Sequence, residues 1–159
     1  QKNLRRASNA DLYYREIGEV ERVVNLYRSH YGDRFSHVTS SDYERFIKLC
    51  QFPDTKNFLI LRGAFSANNS LLACVLLLKD KKRMHLIQSV TLEEGRTSQP
   101  NHFLLDNVIR EFSGTGLILD FEGSAIPGVA DFYRSFGSTE EPYFFLRYNK
   151  LPWPLRLLK

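Results

Sequence analysis

Residues 116–137 read GLILDFEGSAIPGVADFYRSFG, and the fold turns on how this stretch is parsed. Gly116 leads into Leu117-Ile118-Leu119, an apolar run without alternation, which predicts a short strand over 116–121 buried on both faces. Pro127 stands at a favoured first helical position. Val129, Phe132, Tyr133 and Phe136 then recur at helical spacing, and Gly137 ends the helix. Between strand and helix lie Asp120, Glu122, Gly123 and Ser124. Carboxylates two residues apart at a strand end point to one face.

Upstream, three strand-like runs, NFLILRGAF, LLACVLLLK and RMHLIQSV, are separated by turn signals at Asn68-Asn69 and Asp80-Lys81, predicting an antiparallel meander. The polar loop TLEEGRTSQPN follows, then a helix with the stripe Leu105, Val108, Ile109 and Phe112, stopped by Gly114. At the start, Leu12 to Ile17 reads as a strand. Val20, Val23, Val24, Tyr27 and Tyr31 form a helical stripe. A capping box at Ser41-Asp42-Tyr43-Glu44 opens another helix, with Tyr43, Phe46, Ile47 and Cys50 on one face. PYFFLRYN (142–149) reads as a last strand and KLPWPLRLLK as a proline-broken tail. The order predicts an α+β fold: a mixed, mostly antiparallel sheet with about four helices. The strand–helix–strand step over 83–121 supplies one parallel pair.

The chain has 159 residues and a net charge of +4, which fits one domain with a real core, over 1–150, and a tail at 151–159. The mild basicity suits a polyanionic ligand such as a nucleotide cofactor or RNA, and is equally ordinary by chance. Cys50 and Cys74 form no CxxC pair, which argues against a disulfide framework or zinc site and for reduced core thiols in a cytoplasmic protein. No apolar run approaches membrane-spanning length. The opening QKNLRRASNADLYYREI reads as mid-protein sequence, so the chain is expected to be a piece of a longer one.

The element order resembles the GNAT acyltransferase fold. Val129 to Gly137 resembles the late-helix GNAT pattern A-x-x-F/L-Y-x-x-x-G-F, with Val129 in the alanine place and Ser138 in the last phenylalanine place. The span DFEGSAIPGVADFYRSFG is similar to bacterial GNAT-like proteins related to the Fem peptidoglycan aminoacyltransferases, which often carry two GNAT-like halves. The segment NLRRA (Asn3 to Ala7) resembles the joint between the halves, so residues 1–11 are expected to be a linker from an N-terminal half.

The resemblance implies that the strands over 83–91 and 116–121 splay, with an acyl-CoA held between them by the backbone of Gln88, Ser89 and Val90. It also implies a pyrophosphate loop before the third helix, of the form Q/R-x-x-G-x-G/A. Here EEGRTSQPNHFLL stands in its place. Gly95 and Arg96 are present, and Arg96 suits phosphate. Gln99-Pro100-Asn101 lead into the helix, proline offers no N–H, and Glu93 and Glu94 repel a diphosphate. Such a loop is expected of the Fem-like branch, whose donor is an aminoacyl-tRNA.

N-acyl transfer needs a base to free the amine, donors for the oxyanion and an acid for the leaving thiolate. Tyr133 aligns with the tyrosine that commonly serves as the acid; it equally completes an apolar stripe. Glu122 and Asp120 form a carboxylate pair of the kind that can supply the base. Alternatively, Asp120 ties down neighbouring backbone while Glu122 or Ser124 caps the next helix. His85 and His102 are the histidines nearest the expected cleft, His30 and His37 look peripheral, and no two have metal-ligand spacing. The basic runs KDKKR and QKNLRR lack a base-stacking motif. Three functions follow: N-acetyl transfer from acetyl-CoA to an amine, a Fem-like aminoacyl transfer to a cell-wall precursor, or a non-catalytic GNAT-shaped scaffold.

Overall fold

A computed structural model describes residues 11–150, except 56, 125, 143, 145, 147 and 149. The chain divides into two compact units, Gln1–Ser124 and Ala125–Lys159.

The first unit carries a sheet in the order β1-β2-β3-β4-β5: β1 Leu12–Glu16, β2 Leu59–Ser66, β3 Leu71–Lys79, β4 Arg83–Thr91 and β5 Ile118–Asp120. The first four strands are antiparallel, and β5 runs parallel to β4. Its helices are α1 Val20–Tyr31, α2 Ser40–Gln51 and α3 Pro100–Glu111. The mixed sheet and its element order agree with the α+β GNAT-like expectation.

Side-chain alternation divides the sheet into two packed faces. Cys74 and Leu76 of β3 join Val23 and Val24 of α1 and Tyr43 and Cys50 of α2 in one core. Leu104, Leu105 and Val108 of α3 are fully buried and α3 packs over β2 and β3. β3 is therefore apolar along nearly its whole length, as a strand covered on both sides must be. Each such leucine contributes roughly 1.5–3 kcal/mol of burial free energy.

Two register shifts shape the sheet. In the β2–β3 ladder Leu72 is the extra residue, because Ala64 faces Ala73 and Phe65 faces Leu71. In the β3–β4 ladder Ile87 is extra, because Leu77 faces Leu86 and Leu76 faces Gln88. A bulge bends its strand and reverses side-chain parity beyond it. Hence Met84 lines an apolar hollow with Ile109 of α3 and Phe112 just past its end, while Val90, six residues on, packs on the α1/α2 side.

Some expectations need correction. The capping box of α2 lies two residues earlier: Thr39 is the N-cap, its hydroxyl accepts from Asp42 N–H, and the Asp42 carboxylate accepts from Thr39 N–H at 2.8 Å. Thr39, Ser40 and Ser41 all carry hydroxyls, and the one whose backbone stays extended while Asp42 can reach back takes the role. β5 is shorter than 116–121 and is not buried on both faces, since Ile118 is 54% exposed. It is the edge strand of the described sheet. Of PYFFLRYN, residues 142, 144, 146 and 148 are not in a strand, and 143, 145, 147 and 149 lie outside the described residues, as do the linker at 1–10 and the tail at 151–159.

The second unit contains α4, Pro127–Arg134. Phe132 meets Phe136 edge-on, with ring centroids 5.2 Å apart, and Gly137 takes a positive φ of 83° just past the end. The N-cap is Ile126, whose side chain makes no capping bond.

Candidate active site

β4 and β5 pair only through Arg83–Ile118, Met84–Leu119 and His85–Asp120. β4 continues to Thr91, and no described strand pairs with residues 86–91 on that side. The bulge at Ile87 lies just past the last pair, so β4 bends where its neighbour ends. The β4–β5 pairing thus ends with β5 itself, and the backbone of Gln88, Ser89 and Val90 lies beyond it on the β4 edge that no described strand pairs.

Asp120 and Glu122 do reach one place, but each finds its own partner. Asp120 Oδ2 accepts from Arg83 Nη1 at 2.9 Å, and its Oδ1 accepts the Glu122 N–H at 2.9 Å. That second bond folds the chain back, and Glu122 and Gly123 both take left-handed backbone, with φ of 60° and 67°. A left-handed conformation is natural for Gly123 and costs a glutamate about 1 kcal/mol, the kind of local strain that collects at working sites. Turned this way, Glu122 Oε1 lies 2.6 Å from His85 Nδ1. His85 Nε2 lies 3.7 Å from Asp80 Oδ2. Asp80 is fixed in turn: its Oδ1 accepts the N–H groups of Lys82 and Arg83, and these bonds, with His85 beside it, hold its carboxyl below the usual range.

The chain Asp80–His85–Glu122 thus lies on one face of the sheet where the β4–β5 pairing ends. Leu78, the cross-strand partner of His85, packs on the α1/α2 core, so this is the α1/α2 face. Glu122 is about half exposed and able to meet a solute. The sequence singled out Glu122 and His85 separately. Their pairing across 37 positions was not readable, because it depends on the parallel register of β4 and β5. His85, Asp120 and Glu122 each present one ligand atom, all within 4.8 Å of one another, a spacing that could hold a metal ion, with Asp120 paired to Arg83.

Ser89 and Asn101 are brought together on the other face, where Ser89 Oγ donates to Asn101 Oδ1 at 3.1 Å and ties β4 to the first turn of α3. The loop between them is tightly self-bonded. The N–H groups of Gly95, Arg96 and Ser98 donate to the carbonyls of Leu92, Glu93 and Gly95. Gly95 is buried, and a Cβ there would lie 2.8 Å from the Leu72 carbonyl oxygen. Gln99 is left-handed at the N-cap of α3 and makes no capping bond. Near this helix start, His102 is partly buried, which lowers its pKa. Tyr133 lies on α4, in the second unit. The hollow of about 580 Å³ beside Met84 and Leu119 lies on the α3 face, away from Glu122.

The mixed five-stranded sheet, with β5 parallel to β4 and their pairing ending at His85–Asp120, is a fold shared with acetyltransferases. The profile of the GNAT acetyltransferase domain matches residues 1–133, and the chain belongs to this family. Among solved structures it is similar to a possible acetyltransferase from Clostridium difficile 630, with TM-score 0.65 and 10% identity over 89% of this chain and 99% of that one. An aminoglycoside acetyltransferase from an uncultured soil metagenomic sample, in complex with sisomicin, gives 0.61 and 14% over 89% and 97%. AAC(6')-Iy, in complex with the bisubstrate analogue CoA-S-monomethyl-acetylneamine, gives 0.58 and 11% over 89% and 99%. At these identities the likeness carries the fold. No curated protein sequence matches the chain closely enough to count as a relative. No helix among the described residues is long and apolar enough to cross a membrane.

Proposed function

We propose that the chain is a cytoplasmic N-acyltransferase that moves an acyl group, acetyl in the simplest case, from a CoA thioester to an amine. The observation that carries this reading is the open β4 edge over residues 86–91 beside Glu122. The open edge suits a thioester arm, which the backbone of Gln88, Ser89 and Val90 would hold, with Arg96 and Asn101 toward the phosphates. CoA supplies the activated acyl group.

Glu122 is the base. His85 donates Nδ1–H to its Oε1, which orients the carboxylate and leaves Oε2 to take a proton from the incoming ammonium. Asp120, committed to Arg83 and to the Glu122 N–H, positions Glu122 and does not itself titrate the amine. The freed nitrogen attacks the thioester carbon, its second proton passes to solvent as the C–S bond breaks, and Tyr133 protonates the departing thiolate. The carboxylates of Asp80 and Glu122 favour an acceptor that arrives as a cation. Aminoglycoside acetyltransferases of similar fold support an amine acceptor.

The test is acetyl transfer from acetyl-CoA to kanamycin or spermidine, followed by thiol release. Glu122→Gln is expected to lower kcat about 10²–10⁴-fold with little change in thermal midpoint, and Tyr133→Phe to lower it less. Wild-type rates in both variants would remove these roles, and no transfer by the wild-type chain to either amine would favour a non-catalytic scaffold.

One observation favours a second reading. The loop over 93–99 spends the N–H groups of Gly95, Arg96 and Ser98 internally and carries Glu93 and Glu94, a poor cradle for pyrophosphate. A Fem-like aminoacyltransferase, drawing on aminoacyl-tRNA and joined through residues 1–11 to another GNAT-like half, needs no such cradle. No calorimetric heat with millimolar acetyl-CoA, together with transfer from mixed charged tRNAs, would select it.

A further inference from the structure

Gln88 is the only buried polar side chain in the core of the described residues, at 6% exposure, and its Oε1 has no hydrogen-bond partner. A sealed, unpaired amide oxygen is costly, and a leucine of similar size would fill the place without that cost. Its position suggests a reason. Gln88 faces Leu76, which packs on the α1/α2 core, so it lies on the same face as His85 and Glu122. It is the first residue past the bulge, beyond the end of β5. Gln88 therefore lies three residues along β4 from His85, the residue that holds the Glu122 carboxylate.

We infer that Gln88 is a specificity-determining residue that accepts a hydrogen bond from a second donor group of the acceptor. The acceptor is accordingly an amine that also carries a hydroxyl or second N–H a few bonds away, as amino sugars and polyamines do, and not a simple alkylamine. The inference rests on the reading of Glu122 as base: the reacting nitrogen sits at Glu122 while the second group meets Gln88. A site with an unmet buried acceptor rejects an analogue lacking the donor, because binding that analogue leaves the oxygen unpaired.

The test uses two probes of equal charge that differ by one donor, 5-amino-1-pentanol and pentylamine, with acetyl-CoA. The wild-type chain is expected to prefer the amino alcohol at least tenfold in kcat/KM. Gln88→Leu should lose the preference, bringing kcat/KM for the two probes together, and melt no lower than wild type. Gln88→Met serves if the leucine variant does not fold. The side-chain amide resonances of Gln88 should shift on titration with 5-amino-1-pentanol and stay put with pentylamine. Equal wild-type rates on both probes, a preference that survives the substitution, or a lower melting point with unchanged kinetics would overturn the inference alone. A wild-type chain that acetylates neither probe, nor kanamycin or spermidine, would overturn the base assignment and this inference with it.

Discussion

Gly95 stands where a phosphate loop would want a glycine, yet its neighbours account for it by packing. A Cβ would meet the Leu72 carbonyl oxygen at 2.8 Å and Pro100 Cγ at 2.9 Å. The carbonyl cannot give way easily, because it accepts the Leu92 N–H at 2.8 Å and belongs to the bulged residue of β3. Gly95→Ala should therefore cost about 1–3 kcal/mol, read as a lower urea midpoint at unchanged slope. A variant as stable as wild type would return Gly95 to the candidates for ligand contact. Glu122 presents the opposite case. Its carboxylate and its place at a strand end were legible, but its left-handed backbone was not, because that follows from the Asp120 side chain accepting its N–H. The same bond is the backbone tie that one of the two readings of Asp120 expects.

At the scale of elements, the helices and the meander were legible because each rests on local periodicity. What escaped was set by register. The bulge at Ile87 leaves no mark in RMHLIQSV, since an extra residue exists only relative to the strand opposite. The burial of β5 was misjudged for a related reason: an apolar run states preference for a core and not whether another layer covers it. The cap of α2 illustrates competition among equivalent local signals. Thr39 wins because Asp42 bonds back to its N–H, closing the box. Thr39→Ala should cost about 1 kcal/mol. The effect should be local, with faster amide exchange at Asp42 and Tyr43 and little change in α3. If Ser40 or Ser41 took over the cap at no cost, the stability would not move.

Across the first unit as a whole, α3 is fastened to the sheet at both ends. Ser89 holds its first turn. At its last residue, Glu111 receives Arg62 of β2 in two bonds, Nε to Oε2 at 2.9 Å and Nη2 to Oε1 at 2.6 Å, and the Tyr14 hydroxyl of β1 donates to Oε2. The guanidinium beside it holds the Glu111 carboxyl below its ordinary 4.5, while burial and Glu111 push Tyr14 upward. The sign of the pH effect follows from linkage. A carboxyl whose folded pKa is depressed contributes stability that is fully present above its unfolded value and is lost as pH falls through the folded one. The clamp should therefore hold at neutral pH and weaken progressively below about 4.5. Glu111→Gln keeps the shape and some of the hydrogen bonding but removes the charge, and at pH 7 it should cost about 1.5 kcal/mol, since Arg62 is mostly buried and loses its counter-ion. Wild type and variant should then converge on acidification, with the variant showing the shallower fall between pH 4.5 and 2.5 in urea midpoints. Parallel curves would mean that acid sensitivity resides elsewhere, with Asp42 and Asp80 next in line, since neighbouring hydrogen bonds depress both carboxyls. The clamp lies on the strands opposite the β4–β5 pair, so the substitution should leave acetyl transfer intact at any temperature where the chain is still folded.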